Sequence, residues 1–368
     1  MHLAIDASRA TAARSTGTEH YARALIRALI LYNDQATQPM RLTLYFRDDP
    51  SPDLFPPSPC AEQRVIRLAR LWTHLGLAQA IAQQRHDVLF VPAHTLPFIF
   101  PGTGAVTVHD LGYRYFPEAH PASQRAYLEL TTRHSARRAS LIFADSRATA
   151  DDLQYFYGTP AAKIRVLYPG VDSPPSELIY GWRVALVRAR YKLPKRYFLH
   201  LGTLQPRKNI DRLIQAYSLW RARRPQHRDV GLVLAGGRGW LYDPAWGRAE
   251  GVQEIGYVLE TDKPALLRSA LALLMPSLYE GFGFPLLEAM HVGTPTLAAN
   301  TSSLPELAGS ASLLVDPLDV EAIADGMARL VDDEALRSDL EARGRQQVKH
   351  FTWERAAAQA WEALSALA

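Results

Sequence analysis

Residues 272–291 read ALLMPSLYEGFGFPLLEAMH, and a strand, a glycine-rich loop and a helix follow one another in this stretch. ALLMPS is apolar and predicts a buried strand. Pro285 suits the first position of a helix, because its missing N–H would be unpaired there in any case. Glu280 then lies in the loop and Glu288 in the first helical turn. Both lie at the carboxyl end of a strand, which is where open α/β sheets bind ligands.

Strand-like apolar runs alternate with helical patterns along the whole chain. A Pro/Gly/Ser-rich linker at 169–177 separates a first series, from 3–8 to 163–168, from a second series that starts at 197–202. Such alternation predicts βαβ units and parallel sheets covered on both faces. We therefore expect an α/β protein with two Rossmann-like doubly wound domains, at 1–170 and 171–350. The amphipathic segment 351–368 predicts a final helix that packs back on the first domain.

The composition is that of a soluble globular protein, with 368 residues, 48% hydrophobic and 21% charged. Cys60 is the single cysteine, which excludes a disulfide framework and favours a reducing cytoplasm. The N-terminus lacks the pattern of a signal peptide, and no apolar run is long enough to span a membrane. We expect a cytoplasmic protein.

The net positive charge of the chain comes from its first half. Residues 1–170 hold 18 Lys and Arg against 14 Asp and Glu, whereas the remainder holds 23 of each. The excess predicts either an ordinary solvated surface or an anionic surface or substrate that meets this half.

The loop between the two glutamates suits a phosphorylated polyol. Gly281 and Gly283 let the backbone approach a ligand, and the N–H groups of Leu286–Leu287 at the start of the helix favour an anion. Glu280 and Glu288 can accept hydrogen bonds from hydroxyl groups. In the alternative interpretation, Glu288 only complements the helix dipole and Glu280 is solvated.

A second cluster lies in HLGTLQPRKNIDRLI (200–214), where a strand ends and a helix follows at about Ile210. Asn209 is a suitable N-cap. Arg207 and Lys208, just before the helix, predict a diphosphate clamp with one planar and one compact cation. A solvated basic turn is the alternative.

Two further features lie in the first half. His109 and Asp110 end a strand in VTVHDLGY (106–113), where a histidine can donate a hydrogen bond, shuttle a proton or be purely structural. Gly17 precedes a helix that begins near Thr18 and predicts an anion-binding turn. No His/Asp/Glu cluster has metal-ligand spacing, and a cationic clamp could neutralise a leaving diphosphate without a metal.

Taken together, these motifs resemble the retaining glycosyltransferases of family 4, which have the GT-B fold. The resemblance rests on FLHLGTLQPRKNIDRLIQAY, LVLAGG, PSLYEGFGFPLLEAMHVGTPTLAANTSSLPELAG, LLVDPLD and FTWERAAAQAWEAL. The first half matches more thinly, through Gly17-Thr18-Glu19, His109-Asp110 and ADSRATADDL (144–153). The E-x7-E element with GFGFP is highly specific. The resemblance implies two domains facing each other across a cleft that holds a nucleotide-sugar.

The resemblance also implies roles for individual residues. Glu288 would bind the ribose, Glu280 the transferred sugar, and Arg207 with Lys208 the diphosphate, while His109 would contact the sugar near the reacting carbon. The implied catalytic residues are His109, Arg207, Lys208 and Glu280. The implied donor-binding residues are Gly17, Thr203, Arg207, Lys208, Tyr257, Glu280, Gly281, Phe282, Gly283, Phe284, Pro285, Leu286 and Glu288.

Two positions depart from the family pattern. Many members carry Arg where this chain has Thr203, so phosphate binding would depend more on Arg207. Many members also have a paired-glycine turn where this chain has Gly17 followed by Thr18.

The implied reaction is transfer of a hexosyl group with retention, by front-face attack assisted by the leaving phosphate. By similarity to bacterial polysaccharide mannosyltransferases, we expect GDP-mannose as the donor, with UDP- and TDP-sugars as alternatives, and no metal or other cofactor. The acceptor would be a glycan or a polyprenyl-diphosphate-linked sugar. We expect no nucleic-acid partner, and the oligomeric state stays open.

Other classes of protein remain as alternatives. A glycosidase also uses paired carboxylates, but it has no need of a cationic diphosphate clamp. A nucleotide-sugar epimerase on the same fold and a non-catalytic nucleotide-sugar-binding subunit both remain open.

Segment Ala61–Gln84 mixes apolar residues with Arg64, Arg67, Arg70 and Trp72. It has two interpretations: peripheral contact with the inner membrane, or a helix packed on the sheet.

Overall fold

The computed structural model describes residues 1–11, 17–68 and 70–367. The chain divides into two compact units. The first unit comprises Met1–Tyr115, Pro121–Gly170 and Phe351–Ala368, and the second comprises Phe116–His120 and Val171–His350.

A parallel sheet forms the centre of the first unit. Its strands within the described residues are β1 (His2–Asp6), β2 (Arg41–Phe46), β3 (Ala61–Val65), β4 (Val88–Val91), β5 (Thr103–Val108), β6 (Leu141–Ala144) and β7 (Ile164–Val166). Their order is β3-β2-β1-β4-β5-β6-β7, and all pairs are parallel. The α-helices are α1 (Gly17–Gln35), α2 (Ala78–Gln83), α3 (Gly112–Tyr115), α4 (Ala122–Arg138) and α5 (Arg147–Tyr157), and a π-helix spans Trp72–Leu77. Short runs such as VLFV and LIFA form strands because they are buried on both faces.

The segment Ala61–Gln84 is not one helix. It begins with the edge strand β3, whose sequence AEQRV has no apolar run and stays partly exposed. Its polar and charged residues suit a sheet edge, where they discourage pairing with other chains. The helical part starts at Trp72, which is buried, and its indole N–H donates to the carbonyl of Ile66 at 2.9 Å. Trp72 therefore packs inside the first unit, and membrane contact of the rest of this segment stays a prediction.

The second unit is built in the same way. Within the described residues its strands are β8 (Arg196–Leu201), β9 (Val230–Ala235), β10 (Val252–Gly256), β11 (Ala272–Met275), β12 (Thr296–Ala299) and β13 (Leu313–Val315), in the order β10-β9-β8-β11-β12-β13. The helices are α6 (Trp182–Arg190), α7 (Ile210–Arg223), α8 (Lys263–Arg268), α9 (Phe284–His291), α10 (Leu304–Ala308), α11 (Val320–Asp332) and α12 (Glu334–Gln347). The α/β, doubly wound prediction is confirmed for both units.

The last helix, α13 (Trp353–Ser365), belongs to the first unit and packs on α1. Its buried face carries Trp353, Leu364 and three alanines, and the indole N–H of Trp361 donates to Oδ1 of Asn33 at 3.0 Å. Among the described residues we find no helix with the length and apolar character needed to span a bilayer.

Candidate active site

The strand order of the second sheet reverses between β8 and β11, which pair directly with Leu273 opposite Leu199. The loop after β8 carries Arg207 and Lys208, and the loop after β11 carries Glu280. Ligands of open α/β sheets bind outside the strand ends at such a reversal. Arg207, Lys208 and Glu280 therefore all lie at the strand ends of the β8/β11 reversal, where this kind of sheet binds ligands.

Glu280 lies between the two cations. Nζ of Lys208 donates to Oε1 of Glu280 at 2.5 Å, and Nη1 of Arg207 lies 3.5 Å from Oε2. Nη1 of Arg207 also donates to the carbonyl of Tyr279 at 3.2 Å. Glu280 and Lys208 are both more than nine-tenths buried, whereas Arg207 is half-buried. The three side chains thus form one cluster, with two positive charges and one negative.

Burial alone would raise the pKa of Glu280, but the charges of Lys208 and Arg207 outweigh it and lower that pKa below its ordinary range. The carboxylate is therefore ionised at neutral pH. The cluster offers oxygen acceptors for hydroxyl groups and a surplus of positive charge for phosphate.

Two serines just before α10 form hydrogen bonds with the backbone of the loop that carries Glu280. The Glu280 N–H donates to Oγ of Ser302 at 2.9 Å, and Oγ of Ser303 donates to the carbonyls of Glu280 and Phe282 at 2.9 and 2.5 Å. Ser303 is fully buried. These bonds fix the loop backbone, and the sequence analysis did not identify either serine.

The start of α9 differs from the prediction. The helix begins at Phe284, after Gly283 at a φ of +120°, and the Leu286 N–H donates to the Gly283 carbonyl at 3.0 Å. The prediction of a free Leu286 N–H is wrong, because this tight turn uses the donor internally. Glu288 is the fifth residue of α9, one position deeper than predicted, and so lies just past the first turn.

Lys263 is a residue near Glu288 that sequence reasoning missed. It begins α8, and its Nζ lies 2.8 Å from a carboxylate oxygen of Glu260. Burial would lower the pKa of Lys263, but the carboxylates of Glu288 and Glu260 outweigh it and raise that pKa. Twenty-five residues separate Lys263 from Glu288 in the sequence, so no local motif could have joined them.

Asn209 does not cap α7 with its side chain. It adopts a left-handed conformation, with φ of 62°, and makes no capping hydrogen bond. Its buried amide instead donates to the carbonyls of Pro276 and Pro317 at 2.9 and 2.6 Å. Asn209 therefore ties the clamp loop to the end of β11, a long-range role that the local sequence does not reveal.

The other predicted donor-binding residues of the second unit also lie near strand ends. Thr203 follows β8 and Tyr257 follows β10, and both are exposed. Gly281 and Phe282 are buried in the loop after β11, whereas Phe284 and Pro285 are half-buried at the start of α9. Their contacts with a donor stay predictions.

In the first unit, His109 lies at the end of β5 and pairs with a residue that sequence reasoning left unassigned. Val108 is opposite Ala144 in the register of β5 and β6, which places the next residues, His109 and Asp145, side by side. Nδ1 of His109 lies 2.7 Å from Oδ2 of Asp145. The ADSRATADDL motif contains Asp145, but only the strand register reveals its partner.

The environment of His109 favours its charged form. Burial would lower its pKa, but Asp145 outweighs burial and the pKa of His109 is raised. Nε2 of His109 is buried and has no hydrogen-bond partner among the described residues. The backbone N–H of His109 donates to Nε2 of His94 at 2.9 Å, and burial lowers the pKa of His94 to about 4. Asp145 thus fixes the His109 ring at Nδ1, whereas Nε2 makes no hydrogen bond within the described residues.

Gly17 is the first residue of α1 and is exposed. The residues directly before it, in which the anion-binding turn was predicted, lie outside the described residues. The first sheet reverses its order between β1 and β4, and α1 follows β1. In the part of the chain that the structure describes, no group of three or more His, Cys, Asp or Glu side chains is placed to hold a metal ion.

Comparison with known proteins identifies both halves of the chain. A family described as glycosyl transferases group 1 matches residues 188–347, and one described as Glycosyltransferase Family 4 matches residues 16–173. The O-antigen chain mannosyltransferase B of Escherichia coli is 36% identical over 67% of this chain and 66% of its own length. The serotype-specific mannosyltransferase WbdA of the same species is 31% identical over 59% of this chain, but only 27% of WbdA is covered. The matched region is therefore less than two thirds of the length of these relatives.

Solved structures agree on the fold. A sucrose-phosphate synthase from Thermosynechococcus elongatus superimposes with a TM-score of 0.75 at 21% identity, over 100% of this chain and 99% of that chain. Anabaena Alr3699/HepE in complex with UDP-glucose gives a TM-score of 0.72 at 19% identity, over 99% of each chain. These structures show the GT-B fold. The two family models, which together cover most of the chain, show that it belongs to the family 4 glycosyltransferases.

Proposed function

We propose that this protein transfers a mannosyl group from GDP-mannose to a hydroxyl of a glycan acceptor in cell-surface polysaccharide synthesis, with retention at the anomeric carbon. The observation that carries the proposal is the cluster of half-buried Arg207 with buried Lys208 and Glu280 at the reversal of the second sheet. The names of the two E. coli relatives support mannose and O-antigen.

The reaction breaks the bond between the anomeric carbon and a β-phosphate oxygen, and the electron pair stays on the diphosphate. The acceptor oxygen bonds to the same face of that carbon, and its proton passes to the leaving phosphate. Arg207 and Lys208 would stabilise the growing negative charge. One preorganised charge of this kind contributes about 3–4 kcal/mol to lowering a barrier.

Besides stabilising the diphosphate, the cluster can bind the sugar through Glu280. As an ionised and buried carboxylate, it can accept hydrogen bonds from sugar hydroxyls while it holds Lys208 in place. Glu288 lies in the second turn of α9, and we propose that its carboxylate, beside the ammonium group of Lys263, accepts hydrogen bonds from ribose hydroxyls.

We propose that His109 donates a hydrogen bond from Nε2 to the transferred sugar. Asp145 holds the other ring nitrogen, so the imidazole cannot rotate without losing a bond of 2.7 Å. The raised pKa of His109 favours the form with a proton on Nε2. A positioned donor of this kind helps to orient the sugar in the transition state.

A thermal-shift panel tests the donor. GDP-mannose at about 100 times its dissociation constant should stabilise the protein by about 2.7 kcal/mol, and UDP-glucose and TDP-glucose at the same concentration should stabilise it less. The Glu288→Ala variant should lose most of the GDP-mannose shift, whereas Glu306→Ala, a change on α10 outside the cluster, should keep it.

Transfer of radiolabelled mannose to a mannose-containing oligosaccharide then tests the enzyme itself. Stabilisation without transfer or donor hydrolysis would favour a non-catalytic binding subunit. A larger shift with UDP-glucose than with GDP-mannose would contradict the proposed donor.

A further inference from the structure

The connection between β9 and β10 is unusual for a parallel sheet. β9 ends at Ala235 and β10 begins at Val252. Residues 236–251, all of which the structure describes, contain a 3₁₀ turn at Trp246–Arg248 and no α-helix. Parallel neighbours are usually joined by a crossover helix, and a connection of this length without one is uncommon and often functional. We call residues 237–246 the Trp240 loop.

Side-chain contacts hold the Trp240 loop on the second unit. The hydroxyl of Tyr242 donates to Oε2 of Glu254 at 2.6 Å, and Nε of Arg238 donates to Oε1 of the same carboxylate at 3.0 Å. The guanidinium group of Arg238 also lies over the Tyr242 ring, 4.6 Å from its centroid. Trp246 is buried, and its indole N–H donates to Oδ1 of Asp211 on α7 at 2.7 Å. Bonds on both sides of the tip therefore hold it in place.

The tip of the loop exposes two large apolar side chains. Trp240 is 52% exposed and Leu241 is 57% exposed. Leu241 also has a φ of +54°, a left-handed conformation that is unfavourable for a residue with a Cβ. Strained backbone of this kind persists only where the surrounding structure holds it, and it is most frequent at binding and active sites. The tip is therefore a candidate binding surface.

The Trp240 loop lies against the loop that carries Arg207 and Lys208. The Leu204 N–H donates to the carbonyl of Gly237, and the Gly239 N–H donates to the carbonyl of Leu204, both at 2.9 Å. A Cβ on Gly239 would lie 2.6 Å from Cγ2 of Thr203, so the two loops are in close contact there. The next residue in the chain is Trp240, which therefore lies at the edge of the loop with the cationic clamp.

The Trp240 loop and the proposed ribose site lie toward opposite faces of the second sheet. Tyr242 and Trp246 pack in the apolar core that includes α7 and α11. Glu288 lies on α9, which packs with α8 in the core of the other face. The clamp lies between the two, since Lys208 precedes α7 and bonds to Glu280, which precedes α9. A donor with its ribose at Glu288 and its diphosphate at the clamp therefore leaves the tip of the loop to the second substrate.

The chemistry of the tip suits a sugar ring. One face of a pyranose presents C–H groups, whose positive partial charge is attracted to the negative face of an indole ring. The indole N–H of Trp240 and the exposed guanidinium group of Arg238 can donate hydrogen bonds to hydroxyl groups at the edge of that ring. A nucleobase also stacks on indole, but the proposed ribose site lies toward the other face of the sheet.

We propose that Trp240, Leu241 and Arg238 form an acceptor subsite on the second unit, in which Trp240 stacks on a sugar ring of the acceptor glycan. The subsite rests on the proposed transferase function and deepens it by naming residues that take the acceptor. None of residues 237–246 is among the donor-binding residues that the family resemblance implies.

Kinetics of the full chain test the subsite, with GDP-mannose as the donor and mannotriose as the acceptor probe. Trp240→Ala should raise the KM for mannotriose about tenfold and leave the KM for GDP-mannose unchanged, because stacking on the acceptor alone is lost. Trp240→Phe keeps an aromatic face and should recover much of that loss. Trp182→Ala is the matched control, since Trp182 is 68% exposed on α6 of the same unit and should change neither KM.

Calorimetric titration of mannotriose into the protein with GDP present separates the subsite from the proposed function. The dissociation constant should be about tenfold larger for Trp240→Ala than for the wild type, whether or not transfer is detected. Equal affinities, or no binding of mannotriose to the wild type, would overturn the subsite. A rise in the KM for GDP-mannose, or a self-association in sedimentation velocity that Trp240→Ala abolishes, would overturn it too. Absence of mannosyl transfer by the wild type would instead contradict the proposed function, and the titration would still decide the subsite.

Discussion

At the level of single residues, Lys208 is a buried cation whose counter-ion is also buried. Replacement by Met would remove this closest partner and leave Arg207, 3.5 Å away, as the cation paired with Glu280 among the described residues. We expect Lys208→Met to destabilise the protein by about 3–5 kcal/mol, because a buried charge loses its closest partner. The double variant Lys208→Met/Glu280→Gln should recover most of that free energy of unfolding, since no buried carboxylate then remains uncompensated.

The catalytic activity of the single and double variants should not change in parallel with their stability. If the cluster stabilises the leaving diphosphate, kcat should fall by about 10²–10³-fold in both the single and the double variant. Urea unfolding and mannosyl transfer on the same preparations measure the two effects. Lys195→Met, at an exposed lysine, should change neither. Recovery of kcat in the double variant would show that the pair is only structural.

The pairing of His109 with Asp145 predicts that the stability of the protein depends on pH. The folded-state pKa of His109 is raised above its ordinary value of about 6.5. The resulting stabilisation is therefore present in full below that value and is lost as the pH rises through the folded-state pKa. Asp145→Asn removes the attraction and leaves burial, so the NMR titration midpoint of His109 should move down.

The stability cost of Asp145→Asn should accordingly be larger at about pH 5.5 than at about pH 8.5. Asp151→Asn, at an exposed carboxylate of α5, is the control and should leave the His109 midpoint in place. An unchanged midpoint in Asp145→Asn would contradict the assigned role of Asp145 in holding His109.

At the level of elements, alternating apolar runs and helical patterns were enough to predict most strands and helices. The exceptions have physical causes. β3 lies at a sheet edge and needs no apolar run, so the periodicity of AEQRV carries no strand signal. Asn209 had the residue type of an N-cap, but its amide bonds to carbonyls 67 and 108 residues away. Local patterns cannot report such tertiary partners.

The prediction at the level of elements concerns Asn209, whose side chain joins the loop before α7 to two distant strand ends. Asn209→Ala should destabilise the protein by about 2–4 kcal/mol, because it leaves two buried carbonyls without their donor and because alanine tolerates the left-handed conformation less well than asparagine. Asn209→Gly keeps the backbone conformation at no steric cost and should destabilise it less. Chemical denaturation of the three proteins measures the difference. Equal stability of the Ala variant and the wild type would show that the two hydrogen bonds contribute nothing.

At the level of the whole molecule, the sequence predicted two doubly wound sheets, and the sheets reverse their order at β1/β4 and β8/β11. The reversal at β8/β11 explains why Arg207 and Glu280, over seventy residues apart, form one cluster. The sequence placed each residue near the end of a strand but could not give the order of the strands. The pairings Lys263 with Glu288 and His109 with Asp145 depend on that order, so they followed only from the structure.

Gly170, the last residue of the first unit before the chain enters the second unit, lies directly against the start of α13. A Cβ on Gly170 would lie 2.2 Å from the backbone nitrogen of Trp353, a distance that forces the backbone to shift. We expect Gly170→Ala to destabilise the first unit by about 1–3 kcal/mol through overpacking. Amide hydrogen exchange should rise in α13 and in α1, on which α13 packs, and should stay unchanged in α9. Gly237→Ala is the matched control, because a Cβ there meets nothing within 4 Å. Unchanged exchange of α13 in Gly170→Ala would mean that this close contact does not hold the helix in place.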